Sequence, residues 1–165
     1  MLQLGFSDDD LKKIEEYSEE FPIFRSSNMS YEINLIAKLV SELAKKLSDS
    51  DIEIVETHHN RKIDSPSGTA LILADSINES LNNEMHYEYN RHSKREKRDK
   101  KEIGIHSIRG GNEVGKHSVI FFGNNESLEI THNVNSRAVF ASGAIKAAKF
   151  IVHKDYGLYN MNDIC

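Results

Sequence analysis

The stretch Asp51-Ile-Glu-Ile-Val-Glu-Thr-His58, continued by His59-Asn-Arg-Lys-Ile-Asp-Ser-Pro66 and Ser67-Gly-Thr-Ala-Leu-Ile-Leu-Ala-Asp-Ser-Ile77, decides the fold. Its first part alternates, with Ile52, Ile54 and Thr57 set against Glu53 and Glu56, the period of a half-buried strand. Its last part spaces Ala70, Leu73, Ala74, Ile77 and Leu81 as the inward stripe of a helix that opens just after Pro66. A strand, a short loop over 60–65 and a helix in succession belong to a layered arrangement of helices on a sheet.

Upstream, Ile33, Ile36, Ala37, Val40, Leu43, Ala44 and Leu47 keep the i, i+3, i+4, i+7 spacing of an amphipathic helix. Ahead of it, Ile23-Phe24 reads as a short strand delivering the polar loop Arg25-Ser-Ser-Asn28. Phe21-Pro22 ends a first helix. That helix opens at Ser7, an N-cap with Asp10 in the fourth position of a capping box, and its stripe of Leu11, Ile14 and Tyr17 is narrow enough for a surface position. Downstream, the charged stretch 82–101 reads as a loop, and strands are predicted over 103–108, 118–122 and 128–134. Gly-rich residues 109–115 connect the first two, and Gly123-Asn-Asn-Glu126 is a hairpin turn signal between the last two. A final helix runs from Ser136, as N-cap, through Val139, Phe140, Gly143, Ala144, Ala147, Ala148 and Ile151, its small residues implying close packing against the sheet. Four strands beyond the short Ile23-Phe24 and three or four helices, neither cleanly βαβ nor all-antiparallel, predict an α+β fold: a four-stranded mixed sheet with helices packed on one face.

Of 165 residues, 38% are hydrophobic and 28% charged, with no Trp, the profile of one soluble globular domain. Such a chain buries roughly two-thirds of the surface its unfolded form exposes, enough for a core without a disulfide or a metal. The single cysteine, Cys165, excludes an intramolecular disulfide and a Cys-based zinc site and points to a reducing, cytoplasmic setting. The start MLQLGFSDDD lacks the basic and apolar regions of a signal peptide, and no window approaches the roughly 20 apolar residues of a membrane span. The net charge of −5 hides a basic island over 91–102, where Arg91, Lys94, Arg95, Lys97, Arg98, Lys100 and Lys101 outnumber Glu96, Asp99 and Glu102. The island reads either as a solvated, mobile loop or as an anion contact. It has acids within it and no interleaved aromatic, and the rest of the chain is acidic, so nucleic acid is not an expected partner.

Chemistry concentrates between Glu56 and Ala70. Two histidines leave the strand, Lys62 follows His59 in the loop, and Ser-Gly-Thr opens the helix. Ligands collect at strand C-terminal ends and helix N-termini, where backbone N–H groups suit a carboxylate or a phosphate. Histidine titrates near neutral pH and moves protons, and lysine both binds an anion and donates a proton. The stretch describes a site that grips an acid and protonates a carbon or nitrogen. The competing reading is a plain helix start beside surface histidines. A metal centre is a third reading, disfavoured because His58 and His59, adjacent on a strand end, face opposite ways. The run 110–115 leads into a strand instead of a helix, so no nucleotide loop is expected there, and no Gly-x-Ser-x-Gly elbow occurs.

The run Glu56-Thr-His-His-Asn-Arg-Lys-Ile-Asp-Ser-Pro-Ser-Gly-Thr-Ala70 closely resembles the signature of the dihydrodipicolinate reductases, also called 4-hydroxy-tetrahydrodipicolinate reductases, of the diaminopimelate route to lysine. The likeness continues through Glu102-Ile-Gly-Ile-His-Ser-Ile-Arg-Gly-Gly-Asn-Glu-Val-Gly-Lys-His117 and Leu128-Glu-Ile-Thr-His-Asn-Val-Asn-Ser-Arg137. It ends in Phe140-Ala-Ser-Gly-Ala144 and Gly157-Leu-Tyr-Asn-Met-Asn-Asp163. The resemblance implies reduction of a cyclic dicarboxylate with hydride from NADPH or NADH. It makes His58 the general acid/base, Lys62 the proton donor, His59 a substrate-holding group, and Gly68 and Thr69 a carboxylate-binding helix start. It also implies a homotetramer assembled through the sheet.

Members of that family begin with a Rossmann domain, and the present chain resembles them from near that domain's end. Leu2-Gln-Leu-Gly5-Phe6 stands where the family has Gly-Thr-Thr-Gly-Phe. Ser26-Ser27-Asn28-Met29-Ser30 resembles the second cofactor-contacting loop, with Met29 in place of the usual Phe. In the basic island Arg91, Arg98 and Glu102 keep the family's spacing, while Ser93 and Glu96 replace glycines. The resemblance thus divides the chain into 1–25, a remnant of the nucleotide-binding domain's edge, 26–152, the substrate-binding and oligomerisation domain, and 153–165, a tail. Two functions follow from it: the substrate domain of a reductase, inactive alone, or a non-catalytic dicarboxylate-binding or oligomerisation module derived from that family.

Overall fold

The structure, a computed structural model, describes residues 6–165; most of the segment set against Gly-Thr-Thr-Gly-Phe, residues 2–5, lies outside the described residues. In chain order the elements are α1 (Asp8–Ser18), β1 (Pro22–Phe24), α2 (Tyr31–Lys46), β2 (Asp51–His58), α3 (Gly68–Ser80), β3 (His86–Glu88), β4 (Glu102–Arg109), β5 (Gly115–Phe122), β6 (Ser127–Val134), α4 (Ala138–Ile151), β7 (Gly157–Tyr159) and a 3-10 turn (Met161–Asp163). They fall into two compact units, one formed by the described residues up to Leu35 with Ser136–Cys165, the other by Ile36–Asn135.

The Ile36–Asn135 unit is built on a mixed sheet with strand order β3-β4-β2-β5-β6, in which β3, β4 and β2 run parallel and β5 and β6 are antiparallel additions. Residues paired across strands share a face, and the register sorts one face into rows. Ile103, Ile52, Phe121 and Leu128 form the first, and Ile105, Ile54, Val119 and Ile130 the second. Ala37, Val40 and Ala44 of α2 pack on these rows together with Ala70, Leu73, Ala74 and Ile77 of α3. Each fully buried Ile or Leu contributes about 2 kcal/mol, so this cluster carries the unit's stability. The strict alternation of β2 sends Glu53, Val55 and Thr57 to the opposite face. There Ile108 and Phe122 are 51% and 44% exposed.

The sheet has five strands where the sequence predicts four. The addition is β3, three residues within the stretch expected to be loop, paired in parallel with the start of β4. So short a strand carries no alternation to detect. Its pairing accounts for the length of the segment 89–101, because parallel neighbours need a crossover of a dozen or more residues. The basic island within that crossover is held by the unit's own acids. Arg98 pairs with Glu53 at 3.0 Å and Asp51 at 3.2 Å and donates to the Ile52 carbonyl at 2.9 Å. Arg91 pairs with Glu102, and Lys94 with Glu88.

In the other unit, β1 and β7 form a two-stranded parallel sheet with Ile23 opposite Leu158. Gly157, with φ at 147°, starts β7 in a conformation that a side chain would strain. Ser7 caps α1 through the expected capping box, and α1 buries no residue, in keeping with its narrow stripe. The final helix departs from expectation in two respects. Its N-cap position is Arg137, while Ser136 Oγ accepts a hydrogen bond from the Ala138 N–H at 3.2 Å. Its partner is the small sheet: Phe150 meets Phe24 and Tyr159 edge to face, with centroids 6.3 and 5.7 Å away. Gly143 lies against the Met29 carbonyl, where a Cβ would come within 1.6 Å of the oxygen. Among the described residues no helix is long and apolar enough to cross a membrane.

Candidate active site

Two residues beyond the core rows the same face of the main sheet turns polar, with Ser107, Glu56, His117 and His132 in register. Glu56 is fully buried. Arg109 grips it with two parallel hydrogen bonds, Nη1 to Oε2 at 2.8 Å and Nη2 to Oε1 at 2.7 Å. The Ser67 N–H donates to Oε1 at 3.1 Å. Burial pushes the Glu56 carboxyl up, but the hydrogen bonds of Arg109, Ser107 and His58 outweigh it and hold the group at about 2. It is an anion throughout the neutral range.

His58 follows Glu56 by two residues and therefore shares its face. Its Nδ1 lies 2.6 Å from Glu56 Oε2, and the residue is 8% exposed. A carboxylate can only accept, so Nδ1 carries the proton and Nε2 is the nitrogen left to exchange one. Gly115 makes room for it, since a Cβ there would stand 3.1 Å from Nε2. The His58 carbonyl accepts from the Gly110 N–H at 2.9 Å, and Arg61 Nη1 donates to Asn112 Oδ1 at 3.0 Å. These bonds clasp the loop after β2 to the Gly-rich connection between β4 and β5.

Within that loop Lys62 forms an ion pair with Asp64 at 2.8 Å. Burial raises the Asp64 carboxyl, and the hydrogen bond and charge of Lys62 bring it to a net value below normal. Arg109 Nη2 also donates to the Asp64 carbonyl at 2.7 Å, so one guanidinium fixes both the buried carboxylate and the loop bearing Lys62. Ser67 caps α3, its Oγ accepting from the Ala70 N–H at 3.2 Å. Gly68 and Thr69 form the first turn after that cap, where helix amides face outward along the axis. His59, half-buried, follows the end of β2.

The structure thus gathers His58, the loop of Lys62 and the Gly68–Thr69 turn at one end of the main sheet. Ser26, Ser27, Asn28 and Met29 belong to the other unit. There Ser26 Oγ donates to the Asn28 carbonyl at 3.1 Å, and the Asn28 side chain accepts from the Ser30 N–H at 2.8 Å, which folds the loop onto the start of α2. Glu56, Arg109, Ser67 and His117 are members of the site to which the sequence alone assigns no role. The i, i+2 spacing of Glu56 and His58 and the N-cap position of Ser67 were signals for two of them. Arg109 and His117 arrive through strand register, which no local pattern carries.

Fold and site define an α+β domain with a histidine–carboxylate centre where its sheet meets a helix start. The family model described as "Dihydrodipicolinate reductase, C-terminus" matches residues 32–165. The chain is 54% identical over 160 residues to the 4-hydroxy-tetrahydrodipicolinate reductase of Caldanaerobacter subterraneus subsp. tengcongensis, covering 97% of this chain and 64% of that protein. The protein of the same description from Brachyspira hyodysenteriae is 54% identical over 160 residues, 97% of this chain and 69% of its own length. Among solved structures, a dipicolinate-bound dihydrodipicolinate reductase from Paenisporosarcina sp. TG-14 superposes with a TM-score of 0.74 at 25% identity, covering 96% of this chain and 60% of that one. The chain belongs to the dihydrodipicolinate reductase family and corresponds to its C-terminal part. It spans about two-thirds or less of most of these proteins.

Proposed function

We propose that this chain supplies the substrate-binding part of a dihydrodipicolinate reductase of lysine biosynthesis, acting on a cyclic dicarboxylate and inactive without a nucleotide-binding domain. The observation that carries the reading is the Glu56–His58 pair beside the first turn of α3. A module that only bound or assembled would have little use for a buried anion orienting a proton-carrying ring. Adding hydride to a double bond obliges the neighbouring atom to take a proton. Lys62 is the donor of that proton, and His58, through Nε2, is the general acid/base. Gly68 and Thr69 receive a substrate carboxylate at the helix start, and His59 helps to hold the ring.

NADPH or NADH is the hydride source in this reading, with the loop Ser26–Met29 at its rim. The described residues do not fit a whole dinucleotide, because no glycine-rich strand–turn–helix stands among them to cradle its phosphates. The pairing of β1 with β7 supports reading 1–25 as the edge of a larger parallel sheet, with the tail 153–165 lending it a neighbouring strand, since parallel strands seldom stand as a pair. It leaves 26–152 as the substrate-binding and oligomerisation domain. The exposed Ile108 and Phe122 on the uncovered face support a homotetramer built through the main sheet. A cytoplasmic setting accords with the one cysteine of the sequence.

Calorimetric titration with pyridine-2,6-dicarboxylate and with NADPH tests the proposal. The dicarboxylate is expected to bind and NADPH to bind weakly or not at all, and Lys62→Ala is expected to weaken the dicarboxylate at least tenfold, about 1.4 kcal/mol. Unchanged binding by the Lys62→Ala chain, or tight NADPH binding, would overturn it.

A further inference from the structure

Four polar residues around Glu56 close into a circuit. Glu56 accepts from His58 Nδ1 and from the Ser67 N–H. Ser67 Oγ lies 2.9 Å from His117 Nε2. The His117 ring then meets the His58 ring edge to face, with centroids 5.1 Å apart and planes at 75°. His117 projects from β5 opposite Glu56 on β2 and His132 on β6, and is buried.

Two observations set His117 apart from a residue kept for packing. Its Nδ1 is buried without a hydrogen-bond partner, a loss that an apolar side chain of similar size would avoid. Its other nitrogen is spent on the Ser67 hydroxyl, the group that caps the helix whose first turn is read as the carboxylate cradle. We propose that His117 is a positioning residue that couples the first turn of α3 to His58, so that an anion seated on that turn fixes the orientation of the acid/base ring. The inference rests on the roles given above to His58 and to the helix start. Burial, with the nearby charge of His58 as a further cause, holds His117 at about 4, so it stays neutral where the enzyme would work. The groups that face it are Glu56 and His58 from β2, His132 from β6 and Lys62 from the loop after β2.

The test compares the parent chain with His117→Leu and His117→Gln by calorimetry against pyridine-2,6-dicarboxylate and by thermal melting. His117→Leu is expected to melt within about 3 °C of the parent, as the orphaned nitrogen is removed with the ring, while its dicarboxylate affinity falls about tenfold. His117→Gln keeps a polar partner for Ser67 and is expected to regain affinity to within about threefold of the parent. If the Leu variant binds as the parent does, or if both variants lose melting temperature and affinity together, the coupling role is wrong and His117 is structural. If the parent itself does not bind the dicarboxylate, the reading of the helix start has failed and this inference falls with it.

Discussion

Glu56 is a fully buried carboxylate whose charge is met by one guanidinium, that of Arg109. Breaking such a pair from one side leaves an uncompensated buried charge, at a cost of 3–5 kcal/mol in typical cases. Arg109→Met is therefore expected to lower the urea unfolding free energy by about 3 kcal/mol, and to free the Asp64 carbonyl and with it the loop of Lys62. A loss below about 1 kcal/mol would show that Glu56 does not depend on Arg109. At this scale the residues proposed for the site are legible where they lie in one run: His58, His59, Lys62, Gly68 and Thr69 stand within a dozen positions. Arg109 stands 53 residues from Glu56 and reaches it because β2 and β4 run parallel with His58 opposite Arg109. That register is set by the core rows of Ile52, Ile54, Ile103 and Ile105, so a partner chosen by packing elsewhere has no local mark.

At the scale of elements, the periodic segments declared themselves, and of the three short strands only β1 did, through its apolar Ile23-Phe24. The alternation of β2 and the stripes of α2 and α3 follow from one face being buried. β3 and β7 are three residues each, too short for a period, and exist because a neighbouring strand offers hydrogen bonds. The small residues of α4 were legible as a sign of close packing, but the surface they meet is the loop at Met29 and the small sheet. Gly143→Ala is expected to destabilise that unit by about 2 kcal/mol, in the range of overpacking, because the clash is with backbone oxygen and no side chain can move aside. Hydrogen exchange resolved by residue checks it: faster exchange confined to α4 and the start of α2 is expected, with the main sheet unchanged.

For the whole molecule, acid is the predicted weakness, and it acts through one end of one sheet. His117 is held at about 4 against an ordinary 6.5, so the unfolded chain binds its proton more readily and stability falls as the pH drops from 6.5 towards 4. Glu56 is held at about 2 against 4.5, so its stabilisation is complete above 4.5 and is lost as the pH falls towards 2. Each contributes up to about 3 kcal/mol. Urea unfolding across pH should show two successive losses, and His117→Gln should remove the upper one while leaving the lower.

The pairing of Pro22 with Gly157 joins positions far apart in the chain, with Ile36–Asn135 lying between them as an insertion. Such a pairing forms at the entropic cost of closing a very long loop. That cost shrinks once the intervening stretch has collapsed, so the order of assembly runs from the middle of the chain outward. The pairing of β1 with β7 is therefore expected to form after the main sheet. Removing β7 would unmake β1 without touching it, by taking away the strand against which it lies.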